Sequence, residues 1–555
     1  MTSLAQEPVA ADRAPVAKDT RAWDRAAVAV PATVAAVLCF VQIAGRSLGF
    51  DEAATVTIAS QHGSALGSAI AHDGGNMSGY YLLLHFLIAA FGNGLLVIRF
   101  PSAVASIASV ALIGLIGLRL FNRRAAFAAG LLSAVSLSVV FWAQNARGYA
   151  PMVAFVCAGF LAFISLARPA EELPAAGAPP AQGSERRHWI AYVLFMTLGV
   201  YSSFVAVLVV PAQLLLLVRR RGLALRFVLA LGAVAGLCLP LALLALNRGS
   251  SQLFWVPRPT QEIETQVLQS LTSAGLEPSF HNTLTTTTLL VATIALVLGV
   301  VALIGWRARR AAGGQWGGIT ILAWLLVPVL IAWLASYVIQ PVFVPRNLLM
   351  CVPPGALLLG LGFSDPRLPR ALALAGLIAL VVLRALQVAA SYGVSPEPWG
   401  QSTSYVLARA RPGDCVAFYP ADSRMAFQYY VGSRPAVVGR VPRSILPIGR
   451  WGEVIPFVED YTTLSPGQIA ARGAGCRRLW LVSSHEGELN GPAQSRTNRA
   501  RFRQLRARLE RVFGRAKAKQ FGYASAVHVE LLPGAGRVFA VARVSAAGRR
   551  RRRRR

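Results

Sequence analysis

Charge is what this sequence has little of. Only 14% of its 555 residues are Asp, Glu, Lys or Arg and 55% are hydrophobic, with uncharged apolar stretches of about 20 residues recurring as far as residue 392. Stretches of that length match a bilayer's hydrocarbon core, which excludes a soluble globule and predicts a polytopic α-helical membrane protein. Acidic residues are scarcest, 24 against 55 basic ones, and the apolar stretches hold almost none. A non-enzymatic flippase or transporter would line its path with such groups, and Arg384 is the main charge inside a stretch. Cysteine is sparse too: there are six, in no Cys/His spacing that resembles a zinc site, so no metal site and no cofactor are expected. No small-residue cleavage pattern follows the first apolar stretch, which is therefore expected to stay in the membrane after a mixed-charge tail, residues 1–25.

What charge there is has a pattern. A formal +31 would suggest nucleic acid for a soluble protein, but much of it lies in short loops, where Lys and Arg fix orientation; no nucleic-acid partner is expected. Hydropathy gives about eleven spans, near 26–44, 100–120, 125–143, 150–167, 189–203, 204–218, 224–246, 285–305, 318–339, 348–363 and 371–392. Alternate connections carry Arg119, Arg123 and Arg124; Arg168, Arg186 and Arg187; Arg219 to Arg221 and Arg226; Arg307, Arg309 and Arg310; and Arg367 and Arg370. Their common side is predicted to be cytoplasmic, with the amino terminus, in a multi-pass protein of the plasma membrane. The connections 45–99, 144–149, 247–284 and 340–347 then face outward, as does everything from residue 393 on. Residues 79–91 are apolar but short for a span and read as a juxtamembrane or re-entrant helix, and 169–184, rich in Pro, Ala and Gly, as a flexible linker.

Residues 393–548 read as a small extracytoplasmic α/β domain. A helical stretch through 405–409, strands at 414–419 and 478–483, a basic amphipathic helix with Phe502, Leu505, Leu509 and Val512 on one face, and a strand pair at 526–532 and 538–544 are expected. Its arginines suit anionic headgroups or acidic wall polymers, or simply form a solvated basic face. Residues 549–555 are a low-complexity arginine run. Cys39, Cys157, Cys238 and Cys351 lie in spans as small core residues. Cys415 and Cys476, the two in the outer domain, each precede a strand, so adjacent parallel strands would join them in a disulfide.

Asp51 and Glu52 stand just past the first span on the outward side, where a carboxylate can take a proton from an acceptor hydroxyl beside a donor lying in the bilayer. The bland alternative for Asp51 is a helix N-cap. His72, Asp73 and Asn76 follow in the same connection, Asp73 to hold the acceptor or assist Asp51; His85, inside the apolar helix, reads as packing. Arg147 with Tyr149, and Arg346, lie at outer membrane edges. A guanidinium there suits a lipid phosphate, or snorkels to headgroups.

Asp51-Glu52, the Tyr80-Tyr81-Leu82-Leu83-Leu84-His85 segment, Arg99-Phe100-Pro101-Ser102-Ala103, Ala146-Arg147-Gly148-Tyr149 and Arg346-Asn347-Leu348 occur in an order that resembles glycosyltransferase family 39, the protein mannosyltransferase-like and aminoarabinose transferase-like membrane proteins of the GT-C superfamily, over about residues 26–390. Two places depart from the usual pattern: Asn76-Met77-Ser78-Gly79 replaces paired prolines, and Gly148 stands where a larger residue is common. The resemblance implies a cell-envelope enzyme that transfers mannose or another hexose or pentose from a polyprenyl-phosphate donor to an extracytoplasmic glycan, lipid or protein acceptor, with inversion. Asp51, Glu52 and Asp73 would then be the catalytic candidates, Arg147 and Arg346 the donor-phosphate ligands, and His72, Asn76, Tyr80, Tyr81 and Tyr149 the substrate contacts. Phosphate is a good leaving group, so one base and cationic contacts suffice, and the lack of a phosphate-binding glycine loop agrees with a lipid-linked donor. The non-enzymatic alternatives are a lipid-linked glycan flippase or transporter and an envelope scaffold whose basic outer domain recruits partners.

Overall fold

The structure, a computed structural model, describes residues 16–168, 182–218, 220–249, 256–272, 315–366, 368–392, 394–432, 441–452, 463–489, 493–521 and 527–534, with Thr293 and Val300. Hydrocarbon offers no partners to backbone amides, so the apolar runs close their hydrogen bonds internally as helices. These are α1 (Val16–Phe40), α2 (Phe50–Ala59), α3 (Gly63–His72), α4 (Ser78–Phe91), α5 (Leu95–Leu120), α6 (Arg123–Ala134), α7 (Leu137–Ala143), α8 (Tyr149–Ala167), α9 (Gln182–Ser202), α10 (Val210–Leu217), α11 (Arg221–Leu237), α12 (Leu239–Arg248), α13 (Gln261–Thr272), α14 (Gln315–Val338), α15 (Val352–Phe363) and α16 (Arg370–Ser391), with 3-10 turns at Phe204–Val209 and Pro345–Cys351.

Six helical segments among the described residues are long and apolar enough to cross a membrane, and up to eight if each bent pair counts as one span. The described residues do not confirm the expected count of eleven; the expected span 285–305, the 538–544 strand, the 549–555 run and most of the 169–184 linker lie outside them, apart from Thr293 and Val300. Expected single spans at 125–143 and 224–246 are broken helices, α6 with α7 bent by 56° and α11 with α12 by 58°. Pro240 accounts for the second break, since it removes an amide at the start of α12. At the first, Ser136 N–H bonds Ser133 O instead of Leu132 O. The freed Leu132 carbonyl accepts from Arg384 Nη1 at 3.0 Å, and Nη2 of the same guanidinium bonds Thr272 O at 2.8 Å. Arg384 is thus explained by the broken helix it mends, not by a transport path.

From residue 399 the chain turns to mixed α/β structure: α17 (Trp399–Arg409), β1 (Asp414–Tyr419), α18 (Ser423–Gly432), β2 (Arg443–Leu446), α19 (Pro466–Arg472), β3 (Arg478–Ser483), α20 (Ala493–Phe513), β4 (Lys517–Phe521) and β5 (Val527–Leu532). The sheet order is β2-β1-β3-β5-β4, parallel from β2 through β3 and antiparallel beyond. Side chains alternate across it. Cys415, Ala417, Leu479 and Leu481 pack with Phe502, Leu505, Leu509 and Phe513 of α20, while Val416, Phe418, Trp480 and Val482 join the core shared with α17 and α18. Within the described residues the hairpin partner of β5 is β4, at 517–521, a strand the sequence pattern did not signal. Cys415 at the start of β1 and Cys476 just ahead of β3 are joined by a disulfide, their Cα atoms 5.6 Å apart.

Candidate active site

The connection 45–99 holds three helices, α2, α3 and α4, and the site forms at the start of α2. A helix start leaves backbone N–H groups without intrahelical partners. Here Gly49 N–H is taken by Glu52 Oε2 at 3.0 Å, so the capping carboxylate is Glu52 and not Asp51. Glu52 also accepts from Ala146 N–H at 2.8 Å and forms a two-pronged ion pair with Arg99, Nε to Oε1 at 2.9 Å and Nη2 to Oε2 at 2.8 Å. Arg99 spends its remaining donors on the carbonyls of Ile43, Arg46 and Ser47. Glu52 is only 2% exposed, and every carboxylate oxygen is engaged. Although expected among the catalytic candidates, Glu52 here ties α2, α5, the turn after α1 and the turn before α8 into one frame.

Relieved of capping, Asp51 turns its carboxylate toward two guanidiniums. Arg346 Nη1 donates to its Oδ2 at 2.8 Å and Arg147 Nη2 stands 4.0 Å away, while Asp51 remains 41% exposed. Arg346 is aimed by Pro345, whose fixed φ starts the 3-10 turn. Arg147 leaves the turn ahead of α8, donates to Thr55 Oγ1 at 3.1 Å and lies over the Tyr149 ring at 6.0 Å. Its Nε is buried with no hydrogen-bond partner among the described residues, a donor held ready for an anion. Burial acts to raise the Asp51 pKa, but Arg147, Arg346 and His485 together outweigh it and hold the carboxyl below its ordinary value.

Asp73 ends α3 beside this cluster and accepts from Tyr81 O–H at 2.8 Å. Burial pushes its carboxyl up to about 6, against the pull of Arg147 and Tyr81. Asp51, Asp73, Arg147, Arg346, Tyr81 and Tyr149 therefore form one polar site. The other substrate candidates lie apart. Tyr80 is buried, its hydroxyl bonding Ile98 O and Ser102 Oγ to join α4 to α5. Asn76 Oδ1 accepts from Phe204 N–H at 3.2 Å, which fixes the end of α9. At these two positions the expected substrate contacts are occupied by hydrogen bonds within the protein. His72 is exposed near Arg248, and His85 Nδ1 meets Ala59 O at 2.8 Å in a packing role. No group of three or more His, Cys, Asp or Glu among the described residues has a metal-holding arrangement.

Sequence reasoning missed the residues that the C-terminal part brings here. Ser47 N–H bonds Ser395 Oγ at 2.9 Å, Leu48 N–H bonds the Tyr430 hydroxyl at 2.6 Å, and Phe50 N–H bonds Glu397 Oε2. His485 Nε2 lies 3.5 Å from Glu397 Oε1, and its ring is 5.1 Å from that of Phe50. A His-Glu-Gly turn directly after the β3 pattern was the available signal.

The sequence model of the dolichyl-phosphate-mannose-protein mannosyltransferase family matches residues 77–245. No curated protein sequence matches the chain. Among solved structures, ArnT from Cupriavidus metallidurans bound to undecaprenyl phosphate superposes with a TM-score of 0.53 at 12% identity, over 91% of this chain and 98% of that one. Its apo state gives 0.54 at 12% identity, over 92% and 98%. The oligosaccharyltransferase AglB from Archaeoglobus fulgidus, in complex with an inhibitory peptide and a dolichol-phosphate, gives 0.52 at 11% identity, over 85% and 70%. At such identities the likeness is one of fold, shared with ArnT and AglB. The family resemblance read from the sequence motifs is borne out.

Proposed function

From a multi-pass chain that carries a mannosyltransferase-family segment on a GT-C fold, we propose an enzyme that transfers mannose or another hexose or pentose from a polyprenyl-phosphate donor to an acceptor hydroxyl on the extracytoplasmic side. The observation that carries this reading is the Asp51 carboxylate paired with Arg346 at 2.8 Å, with Arg147 beside it, in a half-exposed polar site at the end of the first span. The matching family is named for a dolichyl-phosphate-mannose donor, and both structural neighbours hold polyprenyl phosphates. Asp51 is the general base. The acceptor oxygen forms its bond to the anomeric carbon as the bond from that carbon to the phosphate oxygen breaks, the hydroxyl proton passes to Asp51, and polyprenyl phosphate leaves as an anion. A single displacement inverts the anomeric centre.

The guanidiniums have two successive duties. Without donor they stabilise ionised Asp51; with donor they turn to the phosphate, and Arg147 Nε gains the acceptor it lacks. Loss of part of that cationic field raises the Asp51 pKa, so donor binding strengthens the base. The deciding variant is Asp51→Asn, which keeps shape and loses basicity. Turnover of a polyprenyl-phosphate sugar should fall by about two to four orders of magnitude with folding and donor binding retained. Transfer at the parental rate would remove Asp51 from the chemistry and move the search to Asp73.

A further inference from the structure

The sheet domain meets the segment that carries Asp51 at two places, one on a helix and one on the loop at the carboxyl end of a parallel strand. Tyr430 lies on α18, which follows β1, and His485 stands two residues past the end of β3. In open α/β sheets the working crevice lies outside those strand ends. Phe50 is gripped at two points: its N–H by Glu397, which also accepts from Trp399 Nε1 at 3.1 Å, and its ring by His485. His485 has φ +51, a left-handed backbone that is strained for a residue with a side chain. Its surroundings fix it there: Asn498 Nδ2 donates to its carbonyl, Ser484 Oγ meets Nδ1 at 2.9 Å, and Gly487 two residues on has φ +80. Strain kept in place by several neighbours, on a loop aimed at a polar site, is an observation from which function can be argued.

We propose that His485 and Glu397 are positioning residues of the transfer site, holding Phe50 between them and thereby aiming the adjacent Asp51 carboxylate. The sheet domain is then part of the active site and not an appendage to it. The proposal rests on the reading of Asp51 as the base. Asp51 is faced by Arg147 from the turn before α8, Arg346 from the 3-10 turn at 345–351, Asp73 from the end of α3, and His485 and Glu397 from the sheet domain. Of the sheet domain's two groups, His485 is the one that acts to hold the Asp51 carboxyl low.

The full chain, reconstituted in lipid, tests this with His485→Asn, Glu397→Gln and Glu397→Ala. Asn tolerates a left-handed backbone, so His485→Asn should fold; its kcat should fall about tenfold with donor KM unchanged, because the base is misaimed and the phosphate contacts remain. The acid limb of its rate profile should move to higher pH, since a group favouring ionised Asp51 is gone. Glu397→Gln keeps an oxygen for Phe50 N–H and should retain more activity than Glu397→Ala, whose Phe50 amide should exchange hydrogen faster. Parental kcat, acid limb and amide exchange in His485→Asn and Glu397→Ala would overturn the proposal. So would faster exchange with kcat unchanged. A parental protein inactive toward every polyprenyl-phosphate sugar would sink the transferase reading alone, and the exchange rates would still decide whether these residues hold the loop.

Discussion

Asp51 and Glu52 are neighbours with the same functional group, but a helix turns about 100° per residue, and that rotation divides their roles. Glu52 points inward to Arg99, and Asp51 is left at the paired guanidiniums. Removing one partner of a buried ion pair leaves the other charge uncompensated, so Glu52→Gln should destabilise the protein by about 3–5 kcal/mol, seen as a lowered melting temperature in detergent. An unchanged melting temperature with lost turnover would instead return Glu52 to the chemistry. The pH profile separates the remaining carboxylates. A base works when ionised, so the rate rises with pH through its pKa. Asp51, held low by its arginines, should place the acid limb of kcat/KM below the ordinary carboxylate range, whereas Asp73 would place it near 6. A phosphodiester donor does not titrate in that window. An acid limb near 6 that vanishes in Asp73→Asn would make Asp73 the base.

At the scale of elements, the two departures from the usual family pattern share one cause, the end of α9. A Cβ on Gly148 would stand 2.1 Å from Ser202 O, and one on Gly79 would stand 3.1 Å from Tyr201 Cβ. Asn76 completes the contact by bonding Phe204 N–H. The turn carrying Arg147 can approach α9 only without a side chain at 148, so Gly148→Ala should cost about 1–3 kcal/mol and displace Arg147. The measurement is the melting temperature together with donor KM; both unchanged would mean that α9 yields freely. Periodicity and charge made the helices and the central strands β1 and β3 legible, because a continuous apolar run or a buried parallel strand announces itself locally. The breaks were less visible. Pro240 was a readable signal, but nothing between Val135 and Leu137 breaks a helix by composition, and Arg384, which satisfies the freed carbonyl, is some 250 residues away in sequence. β4 escaped for the opposite reason: Lys517-Ala518-Lys519-Gln520-Phe521 is an exposed, polar edge strand with little hydrophobic alternation to read. Glu397 and His485 belong to the site only through the docking of one unit on another, which no local pattern encodes.

For the whole molecule, orientation decides whether the site can meet its substrates. Arg119, Arg123, Arg124, Arg168, Arg186, Arg187 and Arg226 cluster on alternate connections, and the positive-inside rule predicts a cytoplasmic position for that side. On that prediction Asp51, Arg147, Arg346 and the sheet domain share the opposite side, where an oxidising environment would sustain the disulfide between Cys415 and Cys476. The bond closes a loop of 61 residues. On chain-entropy reasoning it stabilises the sheet domain by roughly 4 kcal/mol, an amount whose loss would loosen the frame that fixes residues 47–50. Peptide mapping of the protein from intact cells without reductant should recover the linked pair, and Cys415→Ser with Cys476→Ser should melt the sheet domain earlier. Independently, single cysteines introduced at Asn145 or Leu489 should react with an impermeant reagent added outside cells, while one at Arg187 should react only after the membrane is opened. Labelling of position 187 in intact cells, or two free thiols at 415 and 476, would invert the map and leave Asp51 on the side away from any envelope acceptor.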